Sequence, residues 1–195
     1  MNDSLDLLPG DLLLVRGSGA VDALIRFGER VRYHGWRPAL AKSISAFLHR
    51  RAAPEDPSDP AWVNHVGVYV GNGQLIEAES RGLVRSPVTK YSIGTYKIAR
   101  LDQVRAHATD DERTSLVAFA DEQLRRHDSY GWLSIASIVL QLLTPTKLDI
   151  SWDGALICSA FAAQCWEHAG VILTTRSSLT TMPADLLFMT ERQPH

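Results

Sequence analysis

The sequence predicts an α+β fold in which an antiparallel sheet packs against helices. Strand-like patterns cluster between His65 and Leu101, with helical patterns before and after them. That grouping argues against a doubly wound sheet, in which strands and helices alternate along the chain. Within the cluster, an apolar run from His65 to Val70 meets Gly71-Asn72-Gly73 and returns through Gln74 to Ala78, which reads as a β-hairpin. A second landmark is the run Cys158-Ser159-Ala160-Phe161-Ala162-Ala163-Gln164-Cys165-Trp166, an apolar helix that packs on the sheet.

Taken in order, Leu12 to Val15 reads as a strand that stops at Arg16-Gly17-Ser18-Gly19. Ser18 is placed to cap a helix whose apolar positions are Val21, Leu24, Ile25 and Val31. A further helical pattern follows at Leu40, Ile44, Phe47 and Leu48. Ala53 to Pro60 is an acidic loop with three prolines, and the hairpin comes directly after it. Leu83 to Val88 and Tyr96 to Leu101 read as two more strands. Asp110-Asp111 opens a helix that runs through Leu116, Phe119, Ala120 and Leu124 to Arg125-Arg126-His127, with acidic and basic ends that suit the helix dipole. Tyr130-Gly131-Trp132 breaks the pattern, and the cysteine helix ends near Gly170, a natural C-terminal cap. The 195 residues suit a single domain spanning 1–195 with one sizeable core.

The hairpin register decides which side chains meet. A three-residue loop, Gly71 to Gly73, pairs Val70 with Gln74 and sets Gly67 opposite Glu77. His65 and Glu77 are then diagonal neighbours on one face, about 7–8 Å apart at the backbone and within side-chain reach. A two-residue loop at Asn72-Gly73 pairs Val68 with Glu77 instead and turns Glu77 to the other face. A histidine oriented by a carboxylate is a base, and a cysteine distant in sequence is a nucleophile once such a base meets it. Cys158, His65 and Glu77 are therefore the candidate catalytic set.

These residues resemble a known family. His65-Val-Gly-Val-Tyr-Val-Gly-Asn-Gly-Gln-Leu-Ile-Glu77 is similar to the histidine hairpin of NlpC-type papain-like cysteine peptidases, where a polar residue twelve positions on orients the base. The histidine here precedes the cysteine, an order that resembles the circularly permuted branch of YiiX- and YaeF-like proteins and, more distantly, the lecithin:retinol acyltransferase group. Pro9-Gly10-Asp11-Leu12-Leu13-Leu14 resembles that branch's opening strand, Cys158-Ser159-Ala160-Phe161 its cysteine helix, and Pro183-Ala184-Asp185-Leu186 its closing segment. Ala160 departs from the commoner Cys-Ser-Glu-Leu pattern. The resemblance implies a permuted papain-like fold and hydrolysis of an amide bond in a peptide or cell-wall-type substrate through a Cys158 thioester. It implies acyl transfer or lipid deacylation as a second outcome of the same residues, and a catalytically silent binding module as a third.

Composition narrows the rest. A net charge of −2 gives no global attraction to nucleic acid. The first residues are acidic and lack a basic-then-apolar leader, and the longest apolar stretch, Ile135 to Leu143, is too short to span a bilayer. A cytoplasmic chain is expected. On one helix Cys158 and Cys165 stand two turns apart, about 10 Å, too far for a disulfide or for one zinc ion with His168. No metal and no cofactor are expected.

Each candidate also has a plainer reading. Cys158 alone suits a small buried hydrophobe, His65 a structural strand residue and Glu77 a solvated one. Cys165 shares a stripe with Phe161, Ala162 and Ala169, which assigns it to the core. Tyr130 and Trp132 either border a substrate pocket or fill core. Residues 24–51 carry Arg26, Arg30, Arg32, Arg37, Lys42, Arg50 and Arg51 against Glu29, which fits peripheral contact with an anionic surface or a solvated helical face. The loop 54–60 is a lid over His65 or a connector.

Overall fold

The computed structural model describes residues 6–17, 35, 62–79, 82–104, 108–126, 158–171, 181, 183 and 185–187. Within them lie five strands, β1 (Leu12–Val15), β2 (His65–Gly71), β3 (Gln74–Glu79), β4 (Gly82–Pro87) and β5 (Tyr96–Ala99). A single turn of 3-10 helix, Val88–Lys90, follows β4. Among the described residues three helices come after the sheet: α1 (Leu101–Val104), α2 (Asp110–Arg126) and α3 (Cys158–His168). The strands form one sheet in the order β4-β3-β2-β1-β5, every neighbouring pair antiparallel. The architecture is the expected mixture of antiparallel sheet and helices. The helical patterns expected at 18–31 and 40–48, the basic segment 24–51, the loop 54–60 and the apolar run 135–143 lie outside the described residues.

β1 explains its own sequence. Leu12 to Val15 are at most 1% exposed, because the strand lies between β2 and β5 and is covered on both faces. Strands buried on both faces read as continuous apolar runs rather than alternating ones. Leu12 and Leu14 join Val66, Val68, Ile76, Phe161 and Trp166 in the main core beneath α2 and α3. Leu13 and Val15 face the other way, against Leu75, Tyr69, Tyr91 and Tyr96. Each such side chain contributes about 1.5–3 kcal/mol on leaving water.

The hairpin sets Gly67 opposite Glu77 by a route that the loop alternatives did not include. Its tip is the two-residue turn, with Gly71 paired to Gln74 and Asn72 and Gly73 at φ +52° and +69°, the signature of a type I′ turn. One residue later the ladder slips: Tyr69 pairs Leu75, Val68 pairs Ile76 and Gly67 pairs Glu77. Val70 is the extra residue, a bulge that offsets the short turn and restores Glu77 to the face of His65. The expected Val70–Gln74 pair is therefore replaced, and the expected Gly67–Glu77 pair stands.

Two strand ends also differ from expectation. Tyr96 to Leu101 was expected as one strand, but β5 stops at Ala99, opposite Leu12, the first residue of β1. Beyond it Asp11 is in a turn, and its Oδ1 accepts the Leu101 amide at 3.2 Å, starting α1. Likewise β4 ends at Pro87 rather than Val88, because Pro87 pairs Gln74, the first residue of β3.

The turn before β1 fastens sheet to helices. Asp11 is 1% exposed and accepts the Leu8 amide through Oδ2 at 3.0 Å. Gly10 donates to the Tyr69 carbonyl at 2.8 Å, and its own carbonyl accepts Trp166 Nε1 from α3 at 2.6 Å. Arg113 of α2, 6% exposed, donates to the Pro9 carbonyl at 2.7 Å and to Asp102 at 2.6 Å, with Asp11 Oδ1 3.9 Å away. Gly10 is required there. Its φ is +94°, and a Cβ would sit 3.2 Å from Leu116 and 3.3 Å from Leu101.

The helix ends follow sequence chemistry. Thr109 Oγ1 accepts the Glu112 amide and Glu112 Oε2 accepts the Thr109 amide, a reciprocal capping box ahead of the acidic first turn. α3 closes with Gly170 at φ +77°, its amide on the Glu167 carbonyl and that of Val171 on Trp166, a Schellman motif.

Removing the Asp11 carboxylate leaves the Leu8 and Leu101 amides without their acceptor and takes a nearby negative charge from Arg113. Asp11→Ala is expected to lower the unfolding free energy by about 3 kcal/mol in urea titrations. A loss below about 1 kcal/mol would show that the turn does not fasten the fold.

Candidate active site

The site starts from strand alternation. His65, Gly67 and Tyr69 share the face of β2 opposite to Val66 and Val68, and on β3 Leu75 and Glu77 share that same face. With Gly67 opposite Glu77, His65 is the diagonal neighbour, and its Nε2 lies 2.7 Å from Glu77 Oε2. Gly67 keeps the space beside them open for Leu75, whose Cδ1 would stand 3.3 Å from a Cβ at that position. Asn64 sets the entry to β2. Fully buried, it pairs its side-chain amide with both the amide and the carbonyl of Gly17, at 2.6 and 3.2 Å.

Glu77 has no exposed surface. A buried carboxylate is tolerated when donors satisfy it, and here they come from several elements. His65 Nε2 and the Tyr91 hydroxyl meet Oε2, while Lys90 Nζ donates to Oε1 at 2.6 Å. Ser86 contributes a further side-chain hydrogen bond. Lys90 also donates to Glu79, and its Nζ lies 5.2 Å from the Tyr91 ring centroid. Burial pushes the Glu77 carboxyl up, but the bonds from His65, Lys90, Ser86 and Tyr91 outweigh it and hold Glu77 well below the usual carboxylate range. Burial and the bond to Glu77 both push the Tyr91 phenol up, so it remains a donor.

Cys158 approaches His65 from α3, which packs against β2 and β3. The thiol is 5% exposed and the imidazole 15%. Burial disfavours a charged ring, yet the charge and hydrogen bond of Cys158, followed by those of Glu77, raise the His65 pKa to about 10. With Nε2 committed to Glu77, Nδ1 is the ring nitrogen left for the sulfur. The three residues singled out in the sequence are thus brought together as sulfur, imidazole and carboxylate.

Cys165 is apart from this cluster. It is fully buried in the core, where burial pushes its thiol up, and His168 stacks on Phe119 with centroids 4.7 Å apart. Among the described residues no group of three His, Cys, Asp or Glu side chains is placed to hold a metal ion. Nor is any described helix long and apolar enough to cross a membrane. Tyr130 and Trp132 lie outside the described residues.

Sequence reading missed Asn64, Ser86, Lys90 and Tyr91. Ser86 was within reach, because Val84 pairs with Glu77 and alternation puts Ser86 on the same face. Lys90 and Tyr91 return to Glu77 through the 3-10 turn after β4, which no local pattern announces. Comparison with protein-family models gives no match, and comparison with curated proteins gives none either.

The charges fix a pH window. His65 has a folded pKa raised from 6.5 to about 10, so its stabilisation is complete below pH 6.5 and lost as pH rises through about 10. Glu77 is depressed from 4.5, so its stabilisation is complete above pH 4.5 and lost as pH falls further. Denaturant midpoints of the wild type and Glu77→Gln should differ most between those limits, from pH 4.5 to 6.5. A gap that stays constant from acid to alkaline pH would contradict the ion pair.

Proposed function

We propose that this chain is a thiol-dependent hydrolase of the circularly permuted NlpC-type papain-like group, cleaving an amide bond in a peptide or cell-wall-type substrate. The observation that carries the proposal is that His65 meets both partners, its Nε2 2.7 Å from the Glu77 carboxylate and its ring in hydrogen bond with Cys158. The order of the residues and the hairpin pattern add to it.

In this reading His65 keeps Cys158 as thiolate. The sulfur attacks the substrate carbonyl carbon, and the electron pair of the C=O bond moves to oxygen. The imidazolium then gives its Nδ1 proton to the leaving nitrogen as the C–N bond breaks, releasing an amine and leaving a thioester on Cys158. Water, deprotonated by the neutral imidazole, attacks the thioester; a carboxylic acid departs and the sulfur recovers its thiolate form beside the recharged ring. Glu77 stabilises the imidazolium and fixes the ring orientation throughout. Backbone amides near Cys158 supply the oxyanion donors, each worth about 3–4 kcal/mol in sites of this type.

One observation favours a second reading, that of a silent binding module: Cys158 is only 5% exposed. The binding module predicts a thiol indifferent to His65. The hydrolase predicts the opposite.

Iodoacetamide alkylation separates them, with Cys165→Ala removing the background thiol. Cys158 should react well below the ordinary thiol range of about pH 8.5, and His65→Ala should abolish that low-pH reaction. On an amide substrate, His65→Ala should cut turnover by about 10²–10⁴-fold. Reactivity that is ordinary, and the same with and without the imidazole, would overturn the nucleophile assignment.

A further inference from the structure

We infer that Lys90 is a positioning residue of this site: its ammonium neutralises Glu77, so that Cys158 ionises beside His65 without leaving a negative charge uncompensated. The inference rests on the nucleophile assignment proposed above and adds a residue to it.

A thiolate at Cys158 and a carboxylate at Glu77 are two anions flanking one imidazolium. Glu77 is fully buried, so water cannot screen it. Tyr91 and Ser86 give it hydrogen bonds but no charge. Among the described residues, the cations on its two oxygens are His65 at Oε2 and Lys90 at Oε1. Lys90 is thus the counter-ion that leaves the imidazolium available to the sulfur. Tyr91 lies between the two cations, its hydroxyl on Glu77, its ring 6.3 Å from the His65 ring and 5.2 Å from Lys90 Nζ. Glu79, on the exposed end of β3, draws on the same ammonium from outside. The arrangement makes opposite predictions for the two partners of one salt bridge. Loss of the Lys90 charge must oppose thiolate formation, and loss of the Glu79 charge must favour it.

The test is the pH midpoint of Cys158 alkylation in the Cys165→Ala protein, alone and combined with Lys90→Met, Lys90→Arg or Glu79→Gln. Near-ultraviolet circular dichroism at each pH verifies that the variants are folded. Lys90→Met should move the midpoint up by about one pH unit, and Lys90→Arg should keep it within a few tenths of the parent. Glu79→Gln should move it down by less, because that carboxylate is exposed and screened. If Lys90 merely ties the 3-10 turn to β3, Lys90→Met lowers thermal stability and leaves the midpoint in place, which overturns the inference while the nucleophile assignment stands. A Glu79→Gln shift in the same direction as Lys90→Met overturns it as well. If the parent protein shows no His65-dependent reaction at low pH, the nucleophile assignment fails and the role of Lys90 fails with it.

Discussion

A carboxylate with no exposed surface in the middle of a sheet is the constraint around which this fold is arranged. Glu77 can remain charged only while donors meet both its oxygens, and those donors come from separate places: His65 on β2, Ser86 on β4, and Lys90 and Tyr91 after the turn that follows β4. Each depends on strand register. A one-residue slip in the β2–β3 hairpin would turn Glu77 into the apolar layer that Ile76 now fills and strand a charge there at a cost of several kcal/mol. The bulge at Val70 is therefore not a local irregularity. It reconciles a tight Asn72-Gly73 turn with the single pairing that gives Glu77 its partners.

The same logic extends to the helices. The turn from Leu8 to Asp11 binds β1 to β2, α1, α2 and α3 through backbone and buried side-chain hydrogen bonds. Trp166 lies two turns along α3 from Cys158, so its bond to the Gly10 carbonyl sets where the thiol stands relative to the sheet. Asn64 fixes the other side, binding Gly17 just ahead of His65. Sulfur and imidazole thus come together because the elements that carry them are fastened at the two ends of the same interior strand, β1.

Much of this was legible in the residues. The apolar run at Leu12 to Val15 marked a strand, and the charges at the two ends of α2 marked its limits. Gly170 marked the close of α3, and the spacing of His65 and Glu77 marked the pair. What was not legible depended on partners distant in sequence. β5 stops at Ala99 because β1 offers nothing beyond Leu12, and β4 stops at Pro87 because β3 begins at Gln74. Neither limit is written in the local pattern of the strand that ends. The bulge escaped for a related reason, since turn chemistry favoured one register and side-chain chemistry another. Lys90 and Tyr91 escaped because a single 3-10 turn carries no periodicity, and because a lysine after a strand is ordinarily a solvated one.

The central claim is that His65 carries a positive charge because it stands between two anions, Cys158 and Glu77. Its most direct test is the ring nitrogen spectrum of ¹⁵N-histidine-labelled protein at about pH 8, between the ordinary histidine value of 6.5 and the about 10 raised by the site. The account predicts a doubly protonated His65 ring at that pH, losing its proton at lower pH once Cys158→Ala removes the sulfur. A neutral ring at about pH 8, unchanged by that substitution, would contradict it.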